Sequence, residues 1–202
     1  GDELLFSQYD ACLNLGGFSN ISLQKNHQRI AFDISPVNVV LNYFAEKLGK
    51  NYDENGDFAR NGAINFKILE ELNTLTFYQK PAPKSLGVEF VNSEIFPLLK
   101  DEIPENIIAT FTEHIAEQIA KVFNDNQLKT VLVTGGGTFN TYLLEKIREK
   151  SQTELIVPDE NIINFKEALI FAFMGVLRLR NEVNVLCSAT GSSENHCSGI
   201  LV

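Results

Sequence analysis

Residues Thr130 to Lys146 read Thr-Val-Leu-Val-Thr-Gly-Gly-Gly-Thr-Phe-Asn-Thr-Tyr-Leu-Leu-Glu-Lys, and no other stretch restricts the fold as tightly. Val131 to Thr134 favour a strand, three adjacent glycines follow, and an amphipathic helix is expected behind them. A strand that enters a glycine turn at a helix start brings backbone close to a ligand, because the first helical N–H groups point outward and the helix dipole favours negative charge. The pattern lacks the Gly-Lys-Ser/Thr of a P-loop and the G-x-G-x-x-G spacing of a dinucleotide fold. Taken alone, the run is equally a tight connection or a ligand loop.

Composition narrows the setting. The chain has 202 residues, 44% of them apolar and 21% charged, which suits one domain or one large lobe of a bigger protein with a real core. A net charge of −9 argues against nucleic acid or an anionic membrane held by charge alone. Cys12, Cys187 and Cys197 show no metal-ligand spacing, so they read as reduced thiols and no metal ligands are assigned. No apolar run approaches the ~20 residues of a membrane span, and no signal peptide opens the sequence. The first residue is Gly1 and the single methionine is Met174, so residue 1 is expected to be a boundary inside a longer protein.

In chain order, Tyr9–Leu15, Ile21–Leu23 and Arg29–Phe32 predict three short strands joined by polar turns. Asp33 closes the third, and Ser35-Pro36 reads as the cap and first position of a helix carrying Val39, Val40, Tyr43, Phe44 and Leu48. Gly49 is its expected stop. The segment from Asn51 to Gly62 is turn-rich, Phe66 to Leu75 reads as helix, and Lys80 to Gly87 as a proline-bearing surface loop. A long helix is predicted from Pro104, with Ile107, Ile108, Phe111, Ile115, Ile119, Val122 and Phe123 on one face. Glu154 to Val157 is a short strand, and Asn164 to Arg180 a strongly apolar helix with Asn164 as its cap. The order predicts an α/β, ribonuclease H-like lobe, a mixed five-stranded sheet flanked by helices with a helical insertion at about 50–103.

Seven blocks together resemble the anhydro-N-acetylmuramic acid kinase family. They are Leu13-Asn-Leu-Gly-Gly-Phe-Ser-Asn-Ile21, Phe32-Asp-Ile-Ser-Pro-Val-Asn38, Tyr52-Asp-Glu-Asn-Gly56, Ala82-Pro-Lys-Ser-Leu-Gly-Val-Glu89, Ala109-Thr-Phe-Thr-Glu113, Gly135-Gly-Gly-Thr-Phe-Asn140 and Lys166-Glu-Ala-Leu169. They follow the family's order over residues 1–202 as a single carboxyl-terminal lobe. The family's amino-terminal lobe, with its Gly-Thr-Ser-x-Asp-Gly loop, has no counterpart in the sequence.

The resemblance implies a cytoplasmic, ATP- and Mg²⁺-dependent enzyme of cell-wall recycling that opens the anhydro ring of its amino sugar with water and phosphorylates O6. It implies Asp33 as catalytic base, Glu167 and Asn38 at the sugar, and Asn14, Gly16, Gly17, Gly135, Gly136, Gly137 and Asn140 around the nucleotide. Several have a plainer alternative. Asp33 could support a turn, Glu167 could be the N3 partner of Asn164, Asn140 could be an early-helix polar residue, and Gly16-Gly17 could be a hairpin turn. The family reads Asp-Thr-Gly-Pro-Gly-Asn where this chain has Asp33-Ile-Ser-Pro-Val-Asn38, and Val37 is expected to crowd the substrate. His114 reads as structural or solvent-facing, His27 as a turn residue, and the role of Lys84 stays open. Expected partners are ATP, the sugar, the missing amino-terminal lobe and a second copy as homodimer, with neither nucleic acid nor membrane. The isolated lobe is expected to be inactive, and the alternatives are a non-catalytic binding homologue or a kinase for another sugar.

Overall fold

The computed structural model describes residues 1–200. Strands β1 (Ala11–Leu15), β2 (Phe18–Lys25) and β3 (Gln28–Pro36) form an antiparallel meander. Strands β4 (Thr130–Thr134) and β5 (Glu154–Ile156) continue the sheet in parallel, in the order β3-β2-β1-β4-β5. The helices are α1 (Asp2–Leu5), α2 (Asn38–Lys47), α3 (Asp57–Asn61), α4 (Phe66–Asn73), α5 (Thr76–Gln79), α6 (Val88–Phe90), α7 (Phe96–Leu99), α8 (Pro104–Asp125), α9 (Thr141–Lys150), α10 (Glu160–Leu179) and α11 (Cys187–Thr190). Helices α3 to α7 make up the insertion between α2 and α8.

Strand alternation divides the core. Leu13, Leu15, Ile21, Leu23, Val131 and Val133 face one side and bury against α2, α8 and α9. Cys12 and Leu132 face the other side, where they meet Phe6, Ile162 and Ile156. The long helix α8 has Pro104 at its first turn and recurs to the core through Ile107, Ile108, Phe111, Ile115, Ile119 and Phe123. Each such fully buried side chain contributes roughly 1.5–3 kcal/mol relative to exposure. Val122 is only partly buried, at the margin of this face.

The turns follow sequence chemistry. Asn26 and His27, both at positive φ, make the two-residue turn between β2 and β3. Gly49 ends α2 at φ +80, its N–H donating to Glu46 O and that of Lys50 to Ala45 O, a Schellman closure.

Three local expectations are corrected. Ser35-Pro36 does not start a helix. Ser35 N donates to Ser19 Oγ and Ser19 Oγ to Ser35 O, so tertiary pairing holds these residues in β3 and α2 begins at Asn38. Asp33 therefore does not end its strand, and a bulge at this point keeps Asp33 opposite Asn20 while Ser35 pairs with Ser19. Asn164 does not cap α10, which starts four residues earlier with Asp159 Oδ1 accepting the N–H groups of Asn161 and Ile162. Glu167 then lies in the second turn of α10, beyond capping reach of the helix start.

His114 is fully buried. Its Nδ1 lies 2.7 Å from Asn73 Oδ1 and its Nε2 2.8 Å from the Tyr78 hydroxyl, which ties the insertion to α8. Burial pushes its pKa down to about 3, so the ring is neutral, and burial also raises that of the Tyr78 phenol.

Candidate ligand cleft at the carboxyl ends of the strands

The parallel neighbours β1 and β4 end side by side, one in Gly16-Gly17 and the other in Gly135–Gly137. Ligands of open α/β sheets bind outside such carboxyl ends. One row of polar residues crosses four strands at this level. Thr134 pairs with Asn14, Asn14 with Asn20, and Asn20 with Asp33. Directly paired residues share a face, so all four stand on the α10 side of the sheet.

The three glycines of the run differ in what requires them. Gly135 has φ +89, and a Cβ there would overlap Asn14 Oδ1 and the Leu15 backbone. A Cβ on Gly137 would come 2.8 Å from Leu15 Cβ. Gly136 has neither constraint, since a Cβ would find only Asn38 Nδ2, at 3.9 Å. Its backbone is the shared wall of two cavities. One, of about 450 Å³, is bounded by Asn38, Tyr52, Asn55, Gly137, Phe139 and Asn140. The other, of about 590 Å³, is bounded by Asn14, Gly16, Asn20, Gly135, Lys166 and Glu167. Both volumes suit a small-molecule ligand.

Gly16 and Gly17 are not in the left-handed region, so the mirror-image hairpin turn does not account for them. Their carbonyls instead cap α2. Gly17 O accepts Val37 N–H at 2.8 Å and Val39 N–H at 3.2 Å, and Gly16 O accepts Asn38 N–H at 3.3 Å. The start of α2 therefore has its donors occupied and offers no anion site. A Cβ on Gly17 would meet nothing within 4 Å.

Asn140 caps α9, its Oδ1 accepting Leu143 N–H at 2.9 Å, and Gly56 of the insertion packs on it at φ +79. Asn38 stands beside Gly136 and Gly137 with Nδ2 donating to Leu15 O, on the opposite side of the glycine wall from Glu167. Asp33 lies in a third cleft of about 370 Å³, with Asn20, Lys84 and Ser85. Asn20 is common to this cleft and the Glu167 cavity. The Asp33 carboxylate accepts Leu86 N–H at 2.7 Å, and Lys84 Nζ anchors the same loop by donating to Phe77 O at 3.1 Å.

Val37 does not crowd this region. Ile34, Ser35 and Val37 are all buried, with Ile34 and Val37 in the main core, because the bulge and the Ser19 pairing turn them inward. In the wall of the Glu167 cavity, Lys166 Nζ pairs with Asp2 at 2.9 Å, and Arg29 donates to Ser22 Oγ and O. The Cys12 thiol beneath them is pushed up to about 11 by burial.

Sequence reasoning assigned no role to Asn20, Tyr52, Phe139 or Lys166. All four sit inside the quoted family blocks, a signal that was available. Among the described residues no group of three or more His, Cys, Asp or Glu side chains could hold a metal ion. No helix among them is long and apolar enough to cross a membrane.

The meander, the two parallel strands and the glycine-walled cleft define an α/β lobe of the actin and Hsp70-like ATPase fold. Fold neighbours agree. An activator of 2-hydroxyisocaproyl-CoA dehydratase from Clostridium difficile with bound ADPNP matches 83% of this chain and 60% of its own, with a TM-score of 0.53 at 17% identity. Component A of the Acidaminococcus fermentans (R)-2-hydroxyglutaryl-CoA dehydratase matches 83% of this chain and 61% of its own, with a TM-score of 0.50. The chain belongs to the anhydro-N-acetylmuramic acid kinase family, whose model matches residues 3–202. The kinase of that name from Francisella tularensis subsp. novicida is 31% identical over 95% of this chain and 55% of its own length. The one from Haemophilus influenzae is 34% identical over 94% of this chain and 56% of its own. The chain thus spans about half the length of the curated relatives it matches.

Proposed function

We propose that this chain is the carboxyl-terminal lobe of a cytoplasmic kinase for anhydro-N-acetylmuramic acid. With ATP the enzyme opens the 1,6-anhydro ring with water and phosphorylates the freed O6, a step of cell-wall recycling. The observation that carries this reading is Gly136, bare of any packing or backbone requirement and standing between two ligand-sized cavities. A phosphate chain crossing there needs backbone without a side chain in its way.

In this reading the nucleoside occupies the 450 Å³ cavity, flanked by the exposed rings of Tyr52 and Phe139. ATP supplies the phosphoryl group, directed over Gly136 toward the Glu167 cavity. The polar row from Thr134 to Asp33 spans three strand spacings, about 14 Å, room for phosphates and one sugar end to end. Asn14, Asn20 and Glu167 hold the sugar. Asp33 takes the proton of the attacking water on its free oxygen, while Leu86 N–H fixes the other. Mg²⁺ would rest chiefly on the phosphates, as this cation usually does, since the described residues offer no carboxylate cage.

A non-catalytic binding homologue is the second reading, favoured by Ile34, Ser35 and Val37 where the family has Thr, Gly and Gly. Their burial away from the cleft weighs against it.

The test is an assay of the native polypeptide carrying this sequence, with ATP, Mg²⁺ and anhydro-N-acetylmuramic acid. A 6-phosphorylated sugar is expected, and Asp33→Asn should lower turnover by ~10²–10⁴-fold. Nucleotide binding with no phosphorylated product would instead support the binding homologue. The 202-residue chain alone is expected to bind without turning over.

A further inference from the structure

Strand β3 is an edge of the sheet, and its outer rim is clamped at two points with a gap between them. The two-residue turn at Asn26 and His27 makes Lys25 and Gln28 the hydrogen-bonded closing pair of the hairpin. Alternation then turns the backbone groups of Ile30 and Phe32 toward β2, and those of Arg29, Ala31 and Asp33 outward. Two contacts agree with this register. Asp33 N–H donates to Lys84 O at 2.9 Å, and Ser188 Oγ of α11 donates to Arg29 O. Between these clamps, the N–H and C=O of Ala31 have no partner among the described residues.

The gap opens into the Asp33 cleft of about 370 Å³, where Ala31, Pro83 and Ala189 supply apolar wall. Lys84 Nζ is engaged by Phe77 O at 3.1 Å and lies 4.4 Å from the centre of the Phe77 ring. With that ammonium held elsewhere, a phosphate or carboxylate entering the cleft would meet the like charge of Asp33. The group that suits the Ala31 rim is neutral, with an oxygen acceptor and a small apolar end. An acetamido group has both. Spacing agrees, because residues two apart on a strand are ~6.6 Å apart. In a 2-acetamido sugar the carbonyl oxygen joins the anomeric carbon only through C2, the nitrogen and the acyl carbon. A sugar whose anomeric carbon faces Asp33 therefore brings its acetamido group to the neighbouring stretch of β3.

We propose that Ala31 N–H donates to the acetamido carbonyl of the substrate, which makes this backbone rim a specificity determinant for 2-acetamido sugars. The acetyl methyl packs toward Pro83 and Ala189, and Ala31 C=O remains an acceptor for a sugar hydroxyl. The proposal rests on the reading of Asp33 as the base of an amino-sugar kinase. A backbone donor carries the recognition, so no polar side chain marks it in the sequence.

The experiment follows amide hydrogen exchange at Ala31 in the native polypeptide carrying this sequence. Saturating anhydro-N-acetylmuramic acid should slow that exchange at least about tenfold, and 1,6-anhydroglucose, which has no amide, should not. A second measurement compares affinities for 1,6-anhydro-N-acetylglucosamine and 1,6-anhydroglucose, which differ only at C2. The parent should prefer the acetamido sugar by about tenfold, as one hydrogen bond allows. Ala31→Pro removes the N–H without breaking a ladder bond and should abolish the preference, whereas Ala31→Gly, which keeps the N–H, should retain it. Unchanged exchange at Ala31, equal slowing by both sugars, or a preference that survives Ala31→Pro would overturn the proposal. So would protection by an N-acetylated dipeptide and not by the sugar, which would assign the rim to an extended peptide. Protection at Ala31 without phosphorylated product would sink the kinase reading alone, and product without protection would sink only the role of Ala31.

Discussion

The carboxylate of Asp33 accepts the backbone N–H of Leu86 at 2.7 Å, across 53 residues of sequence. Asp33 N–H also donates to Lys84 O at 2.9 Å, so the loop forms a short clamp on β3, the edge strand of the sheet. A residue assigned to chemistry thus also holds a loop. Asp33→Ala should speed amide exchange at Leu86, whereas Asp33→Asn, which keeps an accepting oxygen, should leave it slow. If both variants exchange alike, the clamp does not depend on this bond.

The glycine run should separate stability from binding. Gly135→Ala forces a side chain into φ +89 and onto Asn14 and Leu15, and should cost at least about 1–2 kcal/mol in chemical denaturation. Gly136→Ala should stay within about 0.5 kcal/mol of the parent. Its effect should appear in weakened binding of ATP, measured by calorimetry.

The aromatic flanks of the proposed nucleoside cavity give a second binding test. Tyr52→Ala removes a 57% exposed ring, with little cost to the fold. It should weaken ATP by roughly 1–3 kcal/mol if the base stacks there, and inorganic triphosphate hardly at all.

Acid sensitivity should trace to His114. Its folded pKa of about 3 lies below the ordinary histidine value of 6.5, so the unfolded chain binds the extra proton first as pH falls. The stability it supports is intact above pH 6.5 and is lost progressively as pH drops toward 3. Between pH 7 and pH 5, above most carboxylate titrations, the loss should be on the order of 1–2 kcal/mol. His114→Phe, though less stable overall because Asn73 and Tyr78 lose a partner, should show a flatter profile over that interval.

The start of α10 is open to a direct comparison. Asp159→Ala should cost about 1 kcal/mol by removing the cap to Asn161 and Ile162, and Asn164→Ala, exposed and inside the helix, well under half of that. Equal costs measured by thermal denaturation would return the cap to Asn164.

Local chemistry made most of the framework legible. Alternation predicted β1, short apolar or β-favouring segments predicted β2, β3, β4 and β5, period 3.6 predicted α8, Gly49 marked the end of α2, and the order of the family blocks pointed to the family. These features depend on residues near each other in the chain, so composition and periodicity report them. Residue partnerships across long separations were not legible. Ser19 holds Ser35 in a strand against its helix-start signal, and the carbonyls of Gly16 and Gly17 occupy the donors at the start of α2.

The sequence by itself determined that Gly135, Gly136 and Gly137 form one strand-to-helix turn, but it gave all three the same meaning. Only the tertiary structure divided them. Gly135 and Gly137 are glycine because β1 passes too close for a Cβ, while Gly136 faces open space between two cavities. Which glycine serves packing and which is left open depends on the neighbouring strand, and that strand is more than a hundred residues away in the chain.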